Sequence, residues 1–262
     1  MFKRNWMEIQ PIQGYEGTCY VRSVYRRRDL LHIEGGYKTT VNLEWVNVLS
    51  VPAGEEMMYH QQNLEEALYV LQGRGVIRSG RNEWKIENKD TVRIPTNTPY
   101  TILSTTRRQP MIVASFAVQD PPRAPESKIE KVEKGLEGSE VEVEKWLSKE
   151  GDAGHESTCW SYPLFKGKWK AIAFTSFMTV SGILGYHRHN TEAVYFVDSG
   201  LGWMKVAGEE QELKAGDVVY IPPEMAHRCR VAYPDIPLNV FCCGTAVPFG
   251  ATTWVEENLQ DL

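Results

Sequence analysis

The chain has 262 residues, 42% of them hydrophobic and 11% aromatic, enough for one large packed domain or two of ordinary size. Its net charge of −5 excludes the broad basic face that nucleic acid or an anionic membrane requires, because both bind by counterion displacement. No run approaches the roughly 18 uninterrupted apolar residues of a membrane span, and the charges of "MFKRNWMEIQ" are followed by no apolar stretch, so a cytoplasmic protein is expected.

Along the chain, the first 40 residues show no domain of their own and read as edge strands. Their one compact basic run, "YRRRDLL" at 25–31, reads as a solvated strand end. From about residue 40 to 120 the sequence consists of short runs rich in Val, Ile, Tyr, Phe and Trp, broken by Gly, Pro, Asn and Asp. Helical periodicity is nearly missing, so the pattern implies a β-sandwich or barrel. "QGRGVIRSGRNEWKI" reads as strand, Gly-rich tight turn and strand, and "KD" then turns the chain into "VRIP", where the proline ends the strand. Composition changes at 119–157, a segment dense in charge. Within it Ser139 and Glu142 have capping-box spacing, Lys149 falls in the last turn and Gly151 can close the end, so a short helix is expected at about 140–150. Strand patterns then resume with "SGLGWMKVAGEEQEL" and "VVYIP".

The two β-rich stretches are copies. His60 and His187, Gly73 and Gly200, Gly75 and Gly202, and Asp90 and Asp217 each stand 127 residues apart, in one register without gaps. "YHQQNLEEALYVLQGRG" (59–75) thus lies over "YHRHNTEAVYFVDSGLG" (186–202), and "DTVRIPTNTPY" over "DVVYIPPEMAH". Two related domains in tandem follow: 1–122, with the N-terminal arm, and 159–262, joined by a charged linker at 123–158.

Chemistry concentrates in the second copy. A strand presents alternate residues to one face, so His187 and His189 point the same way, as do Ala193, Tyr195 and Val197 further on. His227 follows the turn after "IPPEMA" and can close the cluster from a separate strand. Imidazoles at i and i+2 with a third from elsewhere form a facial set for Fe(II), Mn(II), Ni(II), Cu(II) or Zn(II). The five cysteines, Cys19, Cys159, Cys229, Cys242 and Cys243, are odd in number and lack CxxC spacing, which suits reduced thiols. Cys229 shares the face of His227, and Tyr195, Trp203 and Lys205 line a pocket only if they face inward; no catalytic residue is assigned. Arg188 alternates with the histidines and is expected outside, while His32 and His155 have no ligand-spaced partner.

The order Gly182, His187-x-His189, a ligand position at 193, Gly200, Gly216-x5-Pro222 and His227 resembles the two motifs of the cupin superfamily, small jelly-roll barrels. Over both copies it resembles a bicupin, covering about 40–120 and 165–247. The resemblance implies an all-β fold of two tandem cupin barrels, a divalent metal on His187, His189 and His227, and a homodimer by exchange of N-terminal arms. The family's glutamate falls on Ala193; neighbouring Glu192 alternates outward and would reach the metal only through a bulge at 191–193. In the first copy the ligand positions carry His60, Gln62, Glu66 and Tyr100, a poor set, so that copy is expected to be scaffold.

Three neutral imidazoles leave a metal its full charge and open positions, which looks like the three-histidine non-haem iron dioxygenases acting on thiols or β-diketones. The leading expectation is therefore an Fe(II) dioxygenase with a small chelating anionic substrate. Two alternatives stand beside it: a redox-neutral isomerase, lyase or hydrolase, as in ureidoglycine aminohydrolase-like bicupins, and a non-catalytic small-molecule binder.

Overall fold

The computed structural model describes residues 2–30, 42–119, 129–133, 141–146, 152–153 (backbone only), 158–245 and 252–255. Two units emerge, Glu8–Trp146 and Leu147–Leu262, the second including Met1–Met7.

The chain opens with β1 (Phe2–Asn5). The first unit then runs through β2 (Ile12–Gly14), β3 (Cys19–Arg26), β4 (Leu43–Val51), β5 (His60–Gln61), β6 (Leu64–Gln72), β7 (Arg74–Ser79), β8 (Asn82–Glu87), β9 (Asp90–Ile94), β10 (Thr101–Ser104), β11 (Met111–Gln119), β12 (Glu130–Lys131) and β13 (Glu142–Lys145). Seven strands form one sheet in the order β13-β9-β6-β11-β4-β3-β2, and β10-β7-β8 form another. Alternate residues of both turn inward: Leu49 and Val51, Leu68 and Val70, and Val92 and Ile94 meet Ile77, Ile86 and Ile102 in one core. Each such side chain contributes about 1.5–3 kcal/mol by leaving water.

The second unit repeats the plan with β14 (Asp152–Ala153), β15 (Cys159–Leu164), β16 (Ile172–Val180), β17 (Ile183–Arg188), β18 (Ala193–Ser199), β19 (Leu201–Val206), β20 (Glu209–Lys214), β21 (Asp217–Ile221), β22 (His227–Val231), β23 (Leu238–Thr245) and β24 (Thr253–Trp254). Its sheets are β1-β21-β18-β23-β16-β15-β14 and β20-β19-β22-β17-β24. The 127-residue offset survives in space, since β7, β8 and β9 match β19, β20 and β21 end for end. Both copies need glycine at the hairpin entry: Gly73 and Gly200 have φ of 92° and 91°, where a side chain is strained. A Cβ at 200 would also lie 2.2 Å from the Pro237 carbonyl oxygen. The all-β, two-unit jelly-roll architecture is the one expected from the sequence.

Two local expectations differ from the structure. The first strand, grouped in sequence with the N-terminal copy, pairs antiparallel with β21, and Asn5 Nδ2 donates to buried Asp217 Oδ1 at 2.8 Å. In place of a helix over 140–150, residues 142–145 form a strand against β9, because Val141 and Val143 alternate with Glu142 and Glu144 and both valines pack on the first unit's core. Ser139, Lys149 and Gly151, with His32 and His155, lie outside the described residues. The five cysteines are free and buried. Among the described residues no helix is long and apolar enough to cross a membrane.

Candidate metal centre

The three histidines converge. His187, near the end of β17, stands directly across from His227, the first residue of β22, and a bulge between Leu184 and His187 sets that pairing. His189 follows β17 with its carbonyl accepting from Glu224 N. One ligand atom from each histidine lies within 4.8 Å of the other two. Their rings pack at centroid distances of 4.2 Å (187–227), 5.0 Å (187–189) and 5.3 Å (189–227).

Backbone carbonyls select the tautomer. His187 Nδ1 donates to Gly185 O and His227 Nδ1 to Met225 O, both at 2.8 Å, so each Nε2 keeps its lone pair for a ligand. His189 Nδ1 faces Thr252 Oγ1 at 3.3 Å. All three imidazoles are buried, and burial pulls their pKa values down, that of His189 to about 3 with help from neighbouring His187. They are therefore neutral at physiological pH, the state a divalent ion requires. Three convergent, neutral, oriented imidazoles fit such an ion.

Ala193 faces the same interior as Tyr195 and Val197, so the position that would carry a carboxylate presents a methyl group. Glu192 lies on the opposite face of β18, where it accepts from Tyr220 OH at 2.8 Å and Thr245 Oγ1 at 2.5 Å. It belongs to no metal-binding group among the described residues. Tyr195 points into the centre. Its hydroxyl lies 3.1 Å from His227 Nε2 and 3.5 Å from His187 Nε2, and burial raises its pKa well above the ordinary phenol value. It is a proton donor, held among the ligand atoms.

The other pocket candidates fall elsewhere. Trp203 and Lys205 occupy the outer face of β19, since Met204 and Val206 enter the core. There Arg230 covers the Trp203 ring, and Lys205 and Arg228 cover Tyr186. Cys229 shares its face with His227, as its spacing requires, but packs in the apolar core with its pKa raised by burial. Arg188 is exposed and pairs with Glu224 at 3.6 Å.

Two walls of the centre have no motif in the sequence. Trp254 on β24 lies 5.3 Å from the His187 ring, positioned by pairing of β24 with β17. Phe174 lies 5.7 Å from the His189 ring, and a Cβ at Gly244 would meet it at 2.1 Å, so glycine there makes room for it.

At the matching place in the first unit, Glu66 accepts from Gln62 Nε2 at 2.5 Å, from Tyr100 OH at 2.7 Å and from Ser115 Oγ. Burial outweighs these bonds and raises its pKa. His60 retains the ligand-like orientation, with Nδ1 on Met58 O at 2.9 Å, but among the described residues no metal-binding group includes it.

Comparison with known proteins agrees with this geometry. Residues 177–244 match the cupin domain family. An uncharacterized protein of Methanocaldococcus jannaschii is 28% identical over 102 residues, 38% of this chain and 78% of that one. Among solved structures, a mutant of Bacillus subtilis oxalate decarboxylase superimposes with a TM-score of 0.70 at 16% identity, covering 99% of this chain and 80% of that chain. Vicilin from Corylus avellana (hazelnut) superimposes at 0.69 with 13% identity, covering 93% and 85%. At such identities the likeness extends to the fold alone.

Proposed function

For a chain with the bicupin fold and a three-histidine centre, we propose metal-dependent catalysis in the second unit: a non-haem Fe(II) dioxygenase acting on a small chelating anion. The observation that carries this reading is Ala193. Among the described residues no carboxylate joins His187, His189 and His227, so none of these ligands cancels the ion's charge, which favours an anionic substrate. Fe(II) bound there would supply redox chemistry toward dioxygen, and Mn, Ni, Cu or Zn fit the same donors.

The protein's own groups have separable tasks. Gly185 and Met225 carbonyls hold two imidazoles in the ligating tautomer. Tyr195 stays protonated and aims its O–H at the reacting space. Phe174 and Trp254 limit water beside the histidines.

A redox-neutral reading rests on Tyr195, which is placed to give a proton to a substrate carbanion or oxyanion. Oxalate decarboxylase, with which the chain shares its fold, is named for a small chelating dianion, and a related acid is a reasonable substrate class. Elemental analysis of protein purified without air, followed by turnover of oxalate, β-diketones and thiols with and without dioxygen, separates the readings. Bound iron with oxygen uptake supports the dioxygenase. Turnover under argon refutes it in favour of the redox-neutral enzyme, and absence of metal refutes both.

A further inference from the structure

Each unit covers its histidine strand with a returning segment. In the first, β12 pairs with β5, Lys131 stands opposite His60, and Val132 N donates to Tyr59 O at 3.2 Å. In the second, β24 pairs with β17, Trp254 stands opposite His187, and Val255 N donates to Tyr186 O at 3.0 Å. These straps are copies too, with Val132 and Val255 standing 123 residues apart. In that register "IEKVE" (129–133) lies over "TTWVE" (252–256), so Ile129 corresponds to Thr252 and Lys131 to Trp254.

A strand presents alternate residues to one face, and Thr252 and Trp254 share the face turned toward the metal centre. Thr252 Oγ1 lies 3.3 Å from His189 Nδ1, and the Trp254 ring lies 5.3 Å from the His187 ring. Thr253, between them, alternates away and is exposed. One face of the strap therefore meets two of the three ligands.

The imidazoles differ in how their Nδ1 atoms are held. His187 and His227 each reach the backbone carbonyl two residues earlier, Gly185 O and Met225 O, and His60 does the same at Met58 O. His189 reaches a side-chain hydroxyl 63 residues further along the chain. The two units differ here in step: at the position of His189 the first unit has Gln62, and at the position of Thr252 it has Ile129. Gln62 donates to Glu66, and the residue matching Thr252 is an alkyl side chain with no oxygen to offer. The hydroxyl occurs where an imidazole has to be held.

An imidazole that donates from Nδ1 keeps the Nε2 lone pair, and fixing that tautomer and ring orientation strengthens its hold on a metal. Without an acceptor at Nδ1, a neutral ring divides between two tautomers, one of which blocks Nε2 with a proton. We propose that Thr252 is a positioning residue of the metal centre: its hydroxyl accepts the Nδ1 proton of His189 and reserves Nε2 for the ion, so that pairing of β24 with β17 and metal binding strengthen each other. This role rests on the metal-binding reading of the three histidines and is independent of the reaction proposed for them.

The test uses the full chain with Thr252→Val and Thr252→Ala, which remove the hydroxyl, Thr252→Ser, which restores it, and Thr253→Val as control. Nitrogen-15 spectra of the metal-free protein read the His189 tautomer, and competition for Zn(II) with a chromophoric chelator reads affinity. His189 should carry its proton on Nδ1 in wild type and Thr252→Ser, and on both nitrogens in part when the hydroxyl is gone. The hydroxyl-free variants should hold Zn(II) about 10- to 100-fold more weakly, with Thr252→Ser and Thr253→Val near wild type. By reciprocity, saturating Zn(II) should slow hydrogen exchange of the Val255 amide about tenfold or more in wild type, and far less in Thr252→Val. The role is overturned if wild-type His189 carries its proton on Nε2, if the hydroxyl-free variants bind Zn(II) as wild type does, or if Zn(II) leaves Val255 exchange unchanged. Wild-type protein that takes up no Zn(II) overturns the metal centre itself, and this role with it.

Discussion

Tyr195→Phe tests whether the phenol competes with metal for the same lone pair. In the metal-free protein its hydroxyl donates to His227 Nε2 at 3.1 Å, and both groups are buried. Removing it leaves that acceptor unsatisfied, at about 1–3 kcal/mol. When a metal takes His227 Nε2, the phenol is no longer needed there, so most of this loss disappears from the bound state. Because that loss falls on the metal-free state, the thermodynamic cycle returns most of it as tighter binding, so the variant should hold metal about 5- to 150-fold more tightly. Competition with a chromophoric chelator measures this affinity, and thermal denaturation of the metal-free protein measures the cost. If Tyr195 also supplies the proton in turnover, kcat should fall about a hundredfold or more although metal is held better. Metal affinity tenfold weaker in the variant would refute the reasoning and make the phenol oxygen a ligand.

Replacement of His227 with alanine should reduce metal content from one equivalent per chain to near zero by elemental analysis, because two imidazoles remain. Glu66→Gln should leave metal content unchanged. Because burial raises the Glu66 pKa, its favourable contribution is full below the ordinary carboxylate value of about 4.3 and is lost as pH rises through the raised value; the stability of wild type relative to Glu66→Gln, from denaturant titrations, should therefore fall as pH rises above about 4.3. Trp254→Ala should keep the metal and change KM more than stability, since Trp254 is partly exposed beside His187; loss of metal on elemental analysis would show that it supports the ligand instead. Gly244→Ala places a methyl group in the Phe174 ring and should cost about 1–3 kcal/mol, read as a lower denaturation midpoint.

The sequence exposed the repeat and the metal centre because both depend on spacing along single strands. His187 and His189 share a face by period two, His227 returns at the position of Tyr100, and the glycine turns keep the copies in register. Phe174 and Trp254 were hidden, because strand pairing across the sheet brings them to the histidines and neither belongs to a motif. The expected helix failed where a capping-box coincidence at Ser139 and Glu142 competed with valine alternation at 141 and 143, and burial decided for the strand. Inward orientation of Trp203 and Lys205 was a matter of phase, and Met204 and Val206 claimed the core side of β19.

The pairing of β1 with β21 closes a very long loop, since Asn5 meets Asp217. Loop-closure entropy grows only slowly with length, so the equilibrium cost is modest, but the contact can form only after both ends of the loop exist. During synthesis the opening strand must wait for most of the protein to be made before its partner appears. A fragment cut within the charged segment, carrying all three histidines, would therefore expose the β21 edge and leave Asp217 without Asn5 and Lys3. To isolate the metal-binding half, the first seven residues should be rejoined to it by circular permutation.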